Sequence, residues 1–219
     1  MKYQQPLIEG RLIRRYKRFL ADVTLDDGSE VTAHTPNTGS MMGCCDPGSR
    51  VWLRDSGNPA RKYPLSWEMV EAANGARVGI NTGLANHLVR EGIENGVINE
   101  LAGYARCRPE VRYGSQKSRI DLLLEDEARG LCYVEVKNVT LGEDQIAYFP
   151  DAVSARGTKH LEELAEMCAA GHRAVLCFCV QRDDVTEVRP ADAIDTVYGR
   201  TLRHAMERGV EVIAYRADV

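Results

Sequence analysis

From Arg18 to Ala33 the apolar and polar positions alternate with a period of two. Phe19, Ala21, Val23 and Leu25 fall on one face, Asp26-Asp27-Gly28-Ser29 supplies a turn, and Val31 and Ala33 resume the alternation. Successive side chains of a strand point to opposite faces, so this spacing predicts a β-hairpin. A short strand over 51–53 follows, set between loops rich in Pro, Gly and Asn. Short strands without a helix suit a small all-β barrel. Near Pro64 the pattern changes, and residues 65–71 are expected to form a short helix with Ser66 as its N-cap. Gly75 and Gly79 bracket an extended piece. Leu84, Leu88, Val89 and Ile93 then mark an amphipathic helix over 83–95, stopped at Gly96. A domain boundary is expected between Gly75 and Thr82, dividing residues 1–78 from 79–219.

The second half predicts strands over 106–113, 119–124 and 131–139, then a helix over 157–169 with Leu161, Leu164, Ala165 and Cys168 on one face. Residues 174–180 are apolar throughout, as in a central strand covered on both faces. A helix over 196–208 and a strand over 210–215 complete an α/β sandwich. The expected fold class is therefore β and α/β in two domains.

Composition changes this picture little, whereas charge distribution changes it more. The 219 residues are 44% hydrophobic and 27% charged, as in ordinary globular chains, and no apolar run is long enough for a signal peptide or a membrane span. A cytoplasmic location with no membrane partner is the resulting expectation. The seven cysteines lack zinc-ligand spacing and read as buried free thiols. The net charge is -4, yet residues 1–66 hold ten Lys and Arg against seven Asp and Glu. Arg11, Arg14, Arg15, Lys17 and Arg18 fall within eight positions. They form either a solvated edge or a patch facing phosphates, with Arg14, Arg15 and Arg18 as the backbone contacts.

The segment SRIDLLLEDEARGLCYVEVKNVTL carries the candidate chemistry. In its second strand Tyr133, Glu135 and Lys137 share one face while Cys132, Val134 and Val136 take the other. A carboxylate and an ammonium on an inner strand are costly unless partnered. They can satisfy each other as a structural ion pair. Alternatively, a hairpin turning around 127–130 brings Asp121 to the rung of Glu135. Two hard carboxylates at that spacing suit Mg²⁺ or Mn²⁺. Lys137 would then orient the attacking water or stabilise charge on a phosphate. That chemistry is phosphodiester hydrolysis, with Asp121, Glu135 and Lys137 as its catalytic set.

The arrangement of Asp121 with Glu135-Val136-Lys137 resembles the PD-(D/E)xK nuclease motif. More narrowly, PNTG at 36–39, RKYPLSWEMVE at 61–71, VGINTGLANHLVREGI at 78–93, CYVEVKNVTL at 132–141, FPDAVSARGTKHLEEL at 149–164 and GHRAVLCFCVQR at 171–182 resemble the sugar fermentation stimulation protein A family. The resemblance covers nearly the whole chain. It implies an N-terminal oligonucleotide-binding (OB) barrel and a C-terminal nuclease-like α/β domain. It also implies DNA as partner, a role in regulating sugar utilisation, chiefly maltose, and either a metal-dependent nuclease or a non-catalytic DNA-binding regulator. A homo-oligomer is left open. Arg119-Ile120 precedes Asp121, where the wider superfamily often has proline.

The same resemblance makes Glu91 an auxiliary metal ligand, with a solvated helix glutamate as the competing reading. Asn138 and Gln145 are candidates for a phosphate or the ion's waters. Arg156, Lys159 and His160 open a predicted helix, where free N–H groups suit a phosphate; a capping loop is the alternative. Asn37, with Thr38 and Gly39, either touches a nucleic acid strand or forms an Asx-type turn.

Overall fold

The computed structural model describes residues 2–114 and 118–219. Strands β1 (Ile8–Tyr16), β2 (Leu20–Leu25), β3 (Glu30–His34), β4 (Arg50–Asp55) and β5 (Leu65–Glu71) lie in the order β3-β2-β1-β4-β5. A parallel β3–β5 contact at His34 and Ser66 closes them into a five-stranded OB-like barrel. Leu12, Val23, Ala33, Leu53, Trp67 and Val70 fill its core. Gly10 sits where β1 pairs with β2 and β4 together. A Cβ there would lie 2.6 Å from Val23 Cγ1 and 2.7 Å from Thr24 O, so a side chain would force the strands apart. Strand β6 (Arg77–Gly79) extends the sheet beside β5.

Residues 65–71 form strand β5, not the expected helix. The β4–β5 register shifts between Trp52 and Leu53, whose partners are Met69 and Trp67, so Glu68 is an extra, bulged residue. The bulge breaks the period of two that would have betrayed a strand. Ser66 is a buried strand residue at the barrel seam and caps nothing. Glu68 is fully buried, and its carboxylate accepts from Arg54 Nε at 2.9 Å and Asn81 Nδ2 at 2.7 Å.

After the barrel come α1 (Thr82–Glu94), β7 (Arg106–Tyr113), β8 (Ser118–Asp126) and β9 (Gly130–Val139). Then β10 (Leu141–Glu143), β11 (Ile146–Phe149), α2 (Ala155–Ala169), β12 (Arg173–Val180), β13 (Glu187–Pro190), α3 (Thr196–Glu207) and β14 (Glu211–Arg216) complete the chain. The main sheet runs β14-β12-β9-β8-β7, with β7, β8 and β9 antiparallel neighbours and β12 parallel to both β9 and β14. Strand β12 is inner and almost entirely buried, as its apolar run predicts. Alternation along β9 divides the core. Tyr133 packs with Leu161, Leu164, Leu176 and Tyr198 on the α2–α3 side, while Val134 and Val136 pack with Ala85 and Val89 of α1 on the other. This is the α/β sandwich that the pattern predicts. The small sheet β10-β11-β13 was not predicted. Among the described residues no helix is long and apolar enough to cross a membrane.

Candidate metal centre between the two domains

The β8–β9 ladder runs from Asp126↔Gly130 to Leu122↔Val134. At the next rung the Asp121 carboxylate takes the place of a main-chain acceptor: its Oδ2 accepts from Val136 N at 2.7 Å. Its Oδ1 accepts from Asn86 Nδ2 of α1 at 2.9 Å. Asp121 is thus held from both sides at the point where the strands part, facing Glu135 across the ladder.

Glu135 is 2% exposed. Its Oε1 is engaged by Lys137 Nζ at 2.6 Å and by His160 Nδ1. Its Oε2 is buried and has no hydrogen-bond partner. A buried carboxylate oxygen without a donor is expensive. That orphaned atom, beside a second carboxylate, is what a small hard cation would satisfy.

The two carboxyls titrate in opposite directions. Burial, then the charge of Glu135, raises Asp121 above the usual aspartate range, with the Val136 N–H and Asn86 opposing. Burial would also raise Glu135, but the His160 bond and the Lys137 cation outweigh it and hold its carboxyl below the usual range.

His160 is buried, and it lines the same space as Glu135. Its Nε2 accepts from Arg156 Nε at 3.4 Å, which leaves the ring proton on Nδ1 to be donated to Glu135. With both nitrogens engaged, His160 orients Glu135 and has no atom left for a phosphate. Ser154 caps α2 by accepting from Gly157 N at 3.1 Å.

Asp121, Glu135 and Lys137 line a cavity of about 340 Å³ whose opposite wall is Asn37, Thr38 and Gly39 of the barrel domain. Arg156 and Asn138 also line it. Asn138 Oδ1 accepts from Gln181 Nε2, and its own Nδ2 is buried without an acceptor. Lys159 opens into an adjoining cavity that shares Asp121, Arg156 and His160.

Several predicted residues are not brought to this centre. Glu91 lines a separate cavity with Leu88, Tyr215 and Asp218. Asn86, which sequence reasoning missed, is the α1 residue that reaches Asp121. Gln145 sits in the β10–β11 turn with a positive φ of 64°. Arg14 pairs with Asp22 at 2.9 Å and lies over the Tyr16 ring. Arg15 donates to Asn37 O, Gly39 O and Ser40 O, and Arg18 donates to Thr38 O. Two members of the densest basic cluster, Arg15 and Arg18, therefore brace the 37–40 loop. Asn37 adopts the Asx-turn alternative, its Oδ1 accepting from Gly39 N at 2.8 Å. Asp151, also unanticipated, ties the loop to the second domain by accepting from Ser40 Oγ and Met41 N, each at 2.9 Å.

A family model described as "Sugar fermentation stimulation protein RE domain" matches residues 83–219, and one described as "SfsA N-terminal OB domain" matches residues 13–80. The chain belongs to the sugar fermentation stimulation protein family. The sugar fermentation stimulation protein homolog of Citrifermentans bemidjiense is 65% identical over 219 residues, spanning 100% of this chain and 94% of the relative. The homolog of Thioalkalivibrio sulfidiphilus is 63% identical over 220 residues, covering 100% of this chain and 92% of its own. The solved structure of Pyrococcus furiosus SfsA in complex with Ca²⁺ superposes with a TM-score of 0.88 at 29% identity, covering 99% of this chain and 90% of that one. That relative extends the family likeness across both domains.

Proposed function

We propose that this member of the family is a DNA-binding protein that hydrolyses phosphodiester bonds with a divalent ion, Mg²⁺ or Mn²⁺, held by Asp121 and Glu135. The observation that carries this reading is the buried, partnerless Oε2 of Glu135 beside the Asp121 carboxylate. The donor set fits. Mg²⁺ and Mn²⁺ favour oxygen, and Mg²⁺ typically takes one or two carboxylates, keeping waters and substrate phosphate oxygens for its other positions. Among the described residues no group of three or more His, Cys, Asp and Glu is placed to hold an ion, so those other positions fall to water and phosphate. The Pyrococcus furiosus relative, solved in complex with Ca²⁺, supports a divalent site in the family.

When bound, the ion supplies Lewis-acid polarisation of the phosphate and lowers the pKa of a water. The protein supplies the rest. Asn86 and the Val136 N–H fix Asp121, and His160 fixes Glu135. Lys137 Nζ stands at the cavity floor, where a cation stabilises charge building on an attacked phosphate. Arg156 faces the same space and adds a phosphate contact, with Lys159 beside it. In this reading residues 1–78 help hold the strand and residues 79–219 carry the chemistry.

One observation favours a non-catalytic DNA-binding regulator: Glu135 Oε1 already has two partners, as in a structural ion pair. Calorimetry with Mn²⁺ on the parent, Asp121→Asn and Lys137→Ala, beside a cleavage assay on a mixed DNA panel, separates the two. Mn²⁺ binding lost in Asp121→Asn, with cleavage lost in both variants, supports the hydrolase. Mn²⁺ binding without cleavage transfers support to the regulator, and no Mn²⁺ binding even with DNA present sinks the metal site.

A further inference from the structure

We propose that this cavity accepts its phosphate from an unpaired strand and excludes intact duplex, an inference that rests on the nucleic-acid reading above. Three observations carry it. The cavity is small: about 340 Å³ between two domains is at the low end of sites that enclose one small molecule, roughly 300–1,000 Å³. A nucleotide or two fits that space, and a double helix does not. Glu135 is also only 2% exposed, so a phosphate must enter the cavity to come near it.

The wall facing them is fixed. Four consecutive carbonyls, from Asn37 to Ser40, accept from Arg15 or Arg18, and Asp151 holds Ser40 and Met41 from the other domain. Charge-assisted bonds of this kind are the stronger class. The loop is a braced roof that a duplex would have to tear away.

The third observation concerns the lining. Tyr148 lines the cavity itself. Unpaired bases stack on accessible aromatic faces whatever their sequence, whereas bases inside a duplex cannot. An aromatic ring in the wall of a phosphate-sized opening matches an unpaired strand, whose bases lie beside its backbone.

The test reads Mn²⁺ affinity, so it does not depend on cleavage. Free Mn²⁺ is followed by electron paramagnetic resonance in mixtures of the full-length protein with circular single-stranded DNA or relaxed closed-circular duplex of the same sequence. Each is corrected by DNA with Asp121→Asn protein. A phosphate that reaches the ion tightens its binding, so the single strand is expected to raise Mn²⁺ affinity about tenfold and the closed duplex by less than about twofold. In Tyr148→Leu, single-strand affinity is expected to fall about fivefold or more from lost stacking. Equal tightening by the duplex circle overturns the inference while leaving the metal-site reading standing. An unchanged affinity in Tyr148→Leu overturns this ring as the seat of the strand. If the parent binds no Mn²⁺ in any mixture, the function proposed above fails and this inference fails with it.

Discussion

The cavity has two walls, and they handle charge in opposite ways. On the barrel side, two arginines answer a run of four carbonyls, and Asn37 closes its own turn. On the sheet side, Asp121 and Glu135 face each other in a buried place, and one carboxylate oxygen has no donor at all. Two of the cations that stand out in the sequence, Arg15 and Arg18, thus brace the fold. Of the two acids, which sit singly in apolar strands, Asp121 is held by two donors and Glu135 is left with one oxygen unsatisfied. Charge density along a chain does not separate these cases; the partners that each charged group finds in the fold do.

The largest effects should come from the incomplete wall. Asp121→Asn removes a ligand charge and is expected to weaken Mn²⁺ binding by at least about 10–100-fold, the range seen when even supporting groups of a metal site are lost. The same change relieves a buried carboxylate whose proton is held more tightly folded than unfolded. Near neutral pH without metal, the variant should therefore melt higher than the parent, by about 2–4 °C for each kcal/mol relieved. Differential scanning calorimetry in chelator and in Mn²⁺ should show the shift reverse sign. Lys137→Ala should keep the ion and lower any cleavage rate by about 10²–10³-fold. If both variants lose Mn²⁺ binding equally, Lys137 belongs to the ligand cage and the division of roles drawn above is wrong.

The barrel-side wall should respond in stability. Arg15→Ala strands four carbonyls, those of Arg18, Asn37, Gly39 and Ser40, and is expected to cost about 3 kcal/mol in urea unfolding, since bonds to charged groups are worth roughly 1.5–3 kcal/mol each and do not add fully. The slope of log affinity for DNA against log salt should meanwhile barely change. Arg156→Ala should do the reverse, leaving unfolding nearly unchanged and reducing that slope by about one phosphate contact. A lowered slope in Arg15→Ala would return the basic cluster to the binding surface that charge counting predicts.

These contrasts mark where the sequence is legible. Strand β9 can be read because the alternation of Tyr133, Glu135 and Lys137 with Cys132, Val134 and Val136 is unbroken, and ionisable groups stand out on an inner strand. Asp121 is legible for the same reason. Strand β5 is not, because the bulge at Glu68 and burial of both faces erase its period. Asn86 and Glu91 lie five residues apart on α1, which turns them roughly 140° from each other around the axis. Choosing between them needs the direction in which the helix crosses the sheet, which no local pattern contains. Arg15 is misread because its partners are carbonyls 22 to 25 residues away in a loop without regular structure.

The smallest expected effect lies at the joint behind the cavity, where charge is buried and yet satisfied. Arg182, 2% exposed, donates through Nη1 to Thr140 O beside the cavity, and grips Asp184 with Nε at 2.8 Å and Nη2 at 2.7 Å. Asp184 also accepts from Asn74 of the barrel domain at 2.7 Å, so the fork ties the two domains together. The Arg182 bonds lower the Asp184 carboxyl below the usual aspartate range, against the upward push of burial. A carboxyl with a depressed folded pKa contributes stability that is full above its unfolded pKa, near 4, and is lost as pH falls through the folded value. Asp184→Asn should therefore lower the melting temperature at pH 7 and leave it almost unchanged at acid pH below the depressed folded value, where the parent carboxyl is itself protonated. Because Asp184 is partly exposed, the difference at pH 7 should stay near 1 kcal/mol, the upper end for solvent-screened ion pairs. Melting curves of parent and variant across that range should converge at the acid end. Curves that run parallel down to the lowest pH would show that Asn74 and packing hold the joint, and that the Arg182–Asp184 charge pair contributes little to it.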